Sequence, residues 1–225
     1  MQQGFGQFCP LALASEVLTQ RWMLLILREL GAGSARFNDI RRGVPRISPS
    51  LLKERLDSLQ AAGIVEQSGS GHERRYRLTE AGEELRPILS GIGAWGQRWA
   101  RDIRPDDLDP GWLVWNIHRR LDLAAMPDGP LVIEFRFVDA RPGQRLFWLV
   151  RRRHEVEVCL KPPGRESDIV VETGVRTLAE VWRGLRPIAG EIAAGRLRLD
   201  GPANLRRAFP DWLLLSVYAP IERRR

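Results

Sequence analysis

Two short helical segments separated by a tight turn stand out at residues 36–63, which read RFNDIRRGVPRISPSLLKERLDSLQAAG. Ser48 offers a side-chain acceptor for a helix N-terminus and Pro49 fits the first helical turn, so the second helix is expected to begin there. Its leucines recur at positions 52, 56 and 59, which is the spacing of one helical face. The pattern predicts a helix whose apolar side packs on a core.

The opposite side of this helix is polar. The residues expected to face outward, with Arg55 on the flank, are Ser50, Lys53, Glu54 and Asp57. A core-packed helix with a polar outer face, preceded by a short helix and the turn at residues 42–45, has the geometry of a helix-turn-helix. The second helix of such a unit can enter a DNA major groove. The alternative is an ordinary solvated helix.

Positive charge is concentrated in the same region. The chain of 225 residues has 35 Lys and Arg against 28 Asp and Glu, a net charge of +7, which permits a nucleic-acid partner without requiring one. Residues 36–77 hold nine basic and five acidic residues, which is the whole basic surplus of residues 1–104. This region is therefore the candidate for DNA contacts, and a solvated helix beside an ordinary charged hairpin is the alternative. The candidates are Arg42, Arg46, Ser48, Ser50, Lys53, Arg55, Arg74 and Arg75.

Helices and a hairpin account for the rest of the first half. Helices are expected from Pro10, from about Thr19 to Leu30, and from about Thr79 to Arg101. Residues 64–66 and 75–78 predict two strands around a glycine-rich tip. The segment Gly91–Gly96 has the spacing of a dinucleotide-binding fingerprint, but it lies inside a predicted helix rather than between a strand and a helix. No cofactor is expected there.

Five blocks of this half, in order, resemble the HxlR-type winged-helix transcriptional regulators. They are residues 9–18 (CPLALASEVL), 21–30 (RWMLLILREL), 36–40 (RFNDI), 47–56 (ISPSLLKERL) and 76–82 (YRLTEAG). The resemblance implies a dimeric repressor or activator that binds a palindromic operator. It places Ser48, Ser50, Lys53 and Arg55 on the recognition helix, and Arg74 and Arg75 on the wing.

The resemblance also implies that the first and last helices build the dimer. An apolar stripe on the last helix suits this role, because a small domain cannot bury it alone. The expected interface residues are Leu85, Ile88, Ile92, Trp95 and Trp99. Cys9 matches an N-terminal cysteine that senses oxidants or electrophiles in some members of the family. Cys9 is either such a reactive thiol or a small apolar residue at the dimer interface.

The second half predicts an α+β domain. The segment Arg104–Pro110 contains two prolines and three aspartates, so we place a domain boundary there and predict domains 1–104 and 105–225. Helices are expected at 111–123, at 188–194 and from a capping box at Thr177. Strands are expected at 131–138, 145–150, 155–160, 168–173 and 196–200. The expected architecture is a mostly antiparallel sheet covered by helices on one side.

Residues 112–215 resemble the sterol carrier protein type 2-like fold. The resemblance rests on EFRF at 134–137, DIVVET at 168–173, TLAEVW at 177–182 and AGRLRLDG at 194–201. It implies an apolar tunnel for a hydrophobic ligand. The residues expected to line it are Trp115, Phe135, Phe137, Trp148 and Trp182. Each of them suits a plain core equally well.

Several classes of protein find no support in the sequence. The longest apolar run is six residues, Trp22–Leu27, whereas a membrane-spanning helix needs about 20. The N-terminus has no secretory signal pattern, so a cytoplasmic protein is expected. Neither metal-ligand spacing nor a nucleophile elbow is present, and no enzyme, metal or cofactor is expected. The remaining alternative is a carrier of lipids or other hydrophobic ligands, whose first domain serves only for protein contacts.

Overall fold

A computed structural model of the chain describes residues 4–153 and 155–224. By their internal contacts these residues form two compact units, one extending to Gly93 and the other beginning at Ala94. Two units are expected from the sequence, with a boundary after residue 104. Residues 94–104 instead contact the second unit, where the Gln97 side chain accepts from Arg183 Nη2 at 2.7 Å.

The first unit is a helical domain with a small hairpin. Its elements are α1 (Pro10–Leu18), α2 (Met23–Gly31), α3 (Phe37–Gly43), α4 (Pro49–Ala61), β1 (Val65–Ser68) and β2 (Arg75–Leu78), and helix α5 (Glu80–Trp99) begins in it. The core contains Met23, Ile26 and Leu27 of α2 together with the three leucines of α4, all fully buried. The amphipathic pattern of α4 therefore dictates which side of the helix is left for solvent.

Helix α2 begins four residues later than the sequence predicts. Trp22, its N-cap residue, has a φ of 81°, in the left-handed region that non-glycine residues seldom adopt. The Arg21 guanidinium lies 4.7 Å from the Trp22 ring centroid. The predicted start at Thr19 is wrong because α1 ends at Leu18 and a turn intervenes, which hydrophobicity alone cannot reveal.

The second unit holds a five-stranded sheet and four helices among the residues described. Its elements are α6 (Pro110–His118), β3 (Leu131–Phe137), β4 (Leu146–Arg152), β5 (Glu155–Cys159), β6 (Ile169–Thr173), α7 (Val175–Trp182), α8 (Ile188–Ala193), β7 (Leu197–Asp200) and α9 (Ala203–Trp212). Side chains of α6, α7 and α9 pack against one face of the sheet and form its main core. The α+β class and the layer of helices agree with expectation.

The sheet is mixed, not mostly antiparallel as predicted. Its strand order is β5-β4-β3-β6-β7, and β3 pairs with β6 in parallel while the other neighbours are antiparallel. The connection from β5 at one edge carries the chain past β4 and β3 before β6 begins. Alternation along a strand reports which side chains share a face, but it does not report the pairing partner.

Two helix bounds in this unit also differ from prediction. Helix α6 ends at His118, five residues before the expected end. Helix α7 begins at Val175 with Gly174 as N-cap, not at a capping box on Thr177. The carboxylate of Asp139 accepts the Val175 N–H at 2.8 Å, so a residue 36 positions away satisfies the helix N-terminus. None of the described helices is long and apolar enough to cross a membrane.

Candidate nucleic-acid interface

Helix α4 presents a polar face outward from the first unit. Ser48 caps it, with its Oγ accepting the Leu51 N–H at 3.3 Å, and Pro49 occupies the first turn as predicted. Leu52, Leu56 and Leu59 are fully buried. The exposed residues are Ser48, Ser50, Lys53, Glu54 and Asp57. The expected division of this helix into a core side and a solvent side is therefore present.

A buried polar cluster fixes the turn that leads into α4. The Glu29 carboxylate is fully buried and accepts from Arg28 Nη2 at 2.8 Å and from Ser34 Oγ at 3.3 Å. Arg28 Nη2 also donates to the Gly43 carbonyl at 2.8 Å, at the last residue of α3. Sequence reasoning missed this cluster. The feature of the sequence that could have indicated the cluster is the pair Arg28-Glu29 inside the otherwise apolar helix α2.

Arg55 is held by contacts within the first unit. Its side chain is only 15% exposed, its Nε donates to the Arg21 carbonyl at 3.2 Å, and its Nη1 contacts Glu54 Oε1 at 2.7 Å. An arginine held in this way links α4 to the turn before α2. These contacts give Arg55 a part in positioning α4 and Glu54, and its predicted contact with DNA stays a prediction.

The exposed charges of α4 are paired along the helix. Lys53 Nζ donates to Asp57 Oδ2 at 2.6 Å, at a spacing of four residues that suits an ion pair on one helical face. Glu54 is 64% exposed and is paired with Arg55. The helix carries two basic and two acidic residues, so it contributes no net charge to the surface around it.

Exposed arginines surround α4 on two sides. Arg42 and Arg46 flank the turn before it, with Arg42 lying 3.4 Å from Asp39. On the hairpin, Arg74 and Arg75 are exposed at the start of β2. These four predicted site residues give a basic rim around a helix that is itself neutral.

The hairpin is tied to the helix-turn-helix by backbone contacts. The Tyr76 N–H of β2 donates to the Ala35 carbonyl at 2.8 Å, just before α3. Thr79 Oγ1 donates to the Gly63 carbonyl at 2.6 Å, where α4 ends and β1 approaches. The arginines of the hairpin are therefore held on a fixed base beside α3 and α4.

The predicted interface residues of α5 lie on a stripe that is partly exposed. Leu85 is half-buried in the first unit, whereas Ile88 is 55% exposed and Ile92 47%. Trp95 and Trp99, which belong to the second unit, are also exposed. Within the first unit, an apolar groove of about 190 Å³ runs between α1, α2 and α5 and includes Leu11, Leu24 and Ile88.

Cys9 is exposed at the N-terminus of α1. Its pKa lies below the ordinary value because the backbone N–H groups of Ala12 and then Leu11 favour the thiolate. The other cysteine, Cys159, is half-buried in β5.

The five predicted pocket residues of the second unit are buried but do not share one site. Phe135, Phe137 and Trp182 lie in the main core. Trp148 packs with Val132 and Val150 on the opposite face of the sheet, so the expected common pocket is wrong for this residue. A groove that the sequence did not indicate lies elsewhere, between α8, β7 and α9, with a volume of about 590 Å³.

A helix-turn-helix with a β-hairpin wing, its second helix polar on the outside and rimmed by arginines, defines the class of winged-helix DNA-binding regulators. The HxlR-like helix-turn-helix family matches residues 17–104 of this chain. The HTH-type transcriptional regulator YvaP of Bacillus subtilis (strain 168) is 36% identical over 108 residues, which are 46% of this chain and 97% of YvaP. This chain belongs to the HxlR-like family, and residues 105–225 lie outside the matched region.

Further similar proteins match over 38% to 42% of the chain. The HTH-type transcriptional regulator Rv3095 of Mycobacterium tuberculosis (strain ATCC 25618 / H37Rv) is 36% identical over 91 residues, 38% of this chain and 56% of that protein. Among solved structures, the reduced form of YodB from B. subtilis has a TM-score of 0.36 and 31% identity, covering 42% of this chain and 97% of that one. The redox regulator HypR in its oxidised form has a TM-score of 0.39 and 32% identity, and the match covers 42% of this chain and 100% of the HypR chain.

Proposed function

We propose that this protein is a sequence-specific transcriptional regulator that binds an operator as a homodimer through α4 and its arginine rim. One observation carries the proposal: α4 buries its leucines, exposes a polar face, and is flanked by Arg42, Arg46, Arg74 and Arg75. The arginines suit phosphate contacts, which orient a protein on the duplex without reading sequence. The polar face of α4 suits contacts to base edges.

The dimer is proposed from α1 and α5. Ile88, Ile92 and Leu11 leave large apolar surfaces exposed beside the groove of the first unit. Monomeric soluble proteins seldom expose contiguous apolar patches of this kind. At Gly91 on α5, a Cβ would meet no described atom within 4 Å beyond its chain neighbours and the nearby backbone of its own helix, so space for a close helix contact is available there. A second copy of α5 is the occupant that we propose for this space.

Selection of binding sites from random duplex DNA by the full chain tests the function. We expect enrichment of a palindromic site, with an affinity that falls steeply as salt rises, because phosphate contacts release counterions. Retention of all sequences equally, or an affinity that does not change with salt, would contradict the proposal. Binding of partner proteins without duplex binding would favour the carrier alternative.

A second function, control by a small molecule, is favoured by the groove between α8, β7 and α9. Its lining combines apolar residues with three arginines, namely Ile192, Leu197, Leu199, Ala203, Arg198, Arg206 and Arg207. An amphiphile with an acidic head group fits this combination better than a neutral lipid. A ligand bound here changes operator affinity only if its own affinity differs between the free and DNA-bound states.

Decanoate and decanol are matched probes for this groove. We expect decanoate to bind more tightly than decanol and the preference to disappear in a double variant, Arg206→Gln with Arg207→Gln. Equal binding of the two probes, or a preference that survives both substitutions, would remove the ligand proposal and leave DNA binding unaffected.

A further inference from the structure

The acidic residues of α4 raise a physical question about its role. Beside phosphates, Glu54 and Asp57 oppose the attraction that the surrounding arginines provide, and the helix as a whole adds no net positive charge. A carboxylate in a major groove is therefore unfavourable unless a base offers it a hydrogen-bond donor. The donors on the base edges of that groove are the N4 amino group of cytosine and the N6 amino group of adenine.

Glu54 differs from Asp57 in how it is held. Its Oε1 accepts from Arg55 Nη1 at 2.7 Å, and the Arg55 guanidinium is itself fixed by the contact of Nε with the Arg21 carbonyl at 3.2 Å. Arg55 is largely shielded, while Glu54 is 64% exposed. The carboxylate is thus oriented before DNA arrives, which lowers the entropic cost of a directed contact. Asp57 is instead joined to Lys53, a flexible and exposed partner.

We infer that Glu54 is a specificity-determining residue that accepts a hydrogen bond from the exocyclic amino group of a cytosine or an adenine in the operator. Arg55 is its positioning residue. The inference rests on the proposed binding of DNA through α4. It divides the surface into two parts: the arginine rim provides affinity for any duplex, and Glu54 penalises duplexes that place an acceptor, guanine O6 or thymine O4, where its carboxylate needs an amino group.

The experiment starts from the site that the wild-type chain enriches. At each cytosine or adenine of that site, a duplex is made with the amino group deleted, using pyrimidin-2-one for cytosine or purine for adenine. We expect one position at which this deletion weakens wild-type binding about 5- to 150-fold, the range of a good base contact. In Glu54→Ala the same deletion should change affinity less than about twofold.

Asp57→Ala is the matched control, because it removes the same charge from the same exposed face. It should keep the full penalty at the position that Glu54 reads. Arg55→Lys should reduce that penalty, since the single ammonium of lysine does not reproduce the two fixed donors, Nε and Nη1, that hold the Arg21 carbonyl and Glu54. Combined with Glu54→Ala it should add nothing further at this position, whereas a purely structural role of Arg55 would weaken binding to all duplexes alike.

The outcomes separate the two proposals. If the wild type enriches a site but Glu54→Ala shows the same penalty at every position, Glu54 does not read a base and only this inference falls. If the wild type enriches no site, the proposed function falls and this inference falls with it. If Asp57→Ala abolishes the penalty as fully as Glu54→Ala does, the effect is general electrostatics and the assignment to Glu54 is overturned.

Discussion

The carboxylate of Glu29 occupies the space that a Cβ atom at Gly43 would need. Gly43 is the last residue of α3, and Glu29 lies on the preceding helix and is fully buried. Gly43 therefore lacks a side chain because of close packing, not because of a left-handed backbone. The close contact between Glu29 and Gly43 determines how α3 ends, and hence the position at which α4 begins after the turn.

Gly43→Ala should destabilise the first unit by about 1–3 kcal/mol, the usual cost of adding an atom to a packed site. Operator affinity should fall as well, because the turn before α4 has to shift. Urea unfolding of the full chain and duplex titration measure the two effects. Gly31→Ala is the control: a Cβ there meets Arg86 at an ordinary 3.7 Å. Equal stability of the two variants would contradict the packing argument.

Arg74→Ala should weaken binding to specific and random duplexes by the same factor. The slope of log affinity against log salt should fall by about one, since one phosphate contact is lost. The measurement is a titration at several salt concentrations. Arg165→Ala provides a control in the second unit, where Arg165 is paired with Asp168. A change in the preferred sequence for Arg74→Ala would argue for base reading by the wing.

Ile88→Asp should convert the proposed dimer into a monomer, because a carboxylate would be buried in an apolar interface. Analytical ultracentrifugation of the full chain gives the oligomeric state directly. Leu160→Asp is the control, since Leu160 is a large apolar residue in a loop of the second unit that is 67% exposed, against 55% for Ile88. If both variants remain dimeric, the interface lies elsewhere than α5.

Local sequence patterns correctly predicted those features that are determined by residues close together in the chain. The leucine spacing of α4 correctly gave its buried side, and Ser48 and Pro49 gave its start. The contact of Arg55 with the Arg21 carbonyl was not predicted, because the two residues are 34 positions apart and no periodic pattern records their proximity. The parallel pairing of β3 with β6 was missed for the same reason.

Trp148 shows, at a single residue, what the alternation of a strand cannot predict. Alternation within β4 places Phe147 and Leu149 together and Trp148 opposite them. Only the register, in which Phe147 lies beside Phe135 of β3, shows that Trp148 is excluded from the core that holds Phe135. Both the alternation within β4 and its register with β3 are needed to decide which residues can line one pocket.

Glu134 should make the stability of the second unit depend on pH. Burial acts to raise its pKa, but hydrogen bonds from Arg136, Ser167 and the Trp148 indole outweigh burial and leave the pKa lowered. The resulting stabilisation is fully present at a pH above the pKa of an ordinary, unfolded glutamate. It is lost as the pH falls through the lower pKa that Glu134 has in the folded protein. Unfolding free energy should therefore decline below about pH 4.

Glu134→Gln should remove part of the acid decline in unfolding free energy. At pH 7 it should lower the unfolding free energy by about 1–3 kcal/mol, because hydrogen bonds to a charged group are lost. Urea unfolding between pH 3 and pH 7 measures both effects. Glu157→Gln, on an exposed residue of the same sheet that lies 4.0 Å from Arg152, is the control and should change neither. An identical acid decline in the wild type and Glu134→Gln would contradict the assignment.

Cys9 should react with iodoacetamide faster than Cys159 at pH 7, because its lowered pKa and its exposure give more accessible thiolate. The midpoint of its rate against pH should lie below the value of about 8.5 for a free cysteine. Mass spectrometry after timed alkylation reports each site, and Cys9→Ser should abolish the fast phase. Comparing the wild type with Ile88→Asp then separates the two roles of Cys9. Fast alkylation in both proteins supports a reactive thiol, whereas protection only in the wild type supports burial at the dimer interface.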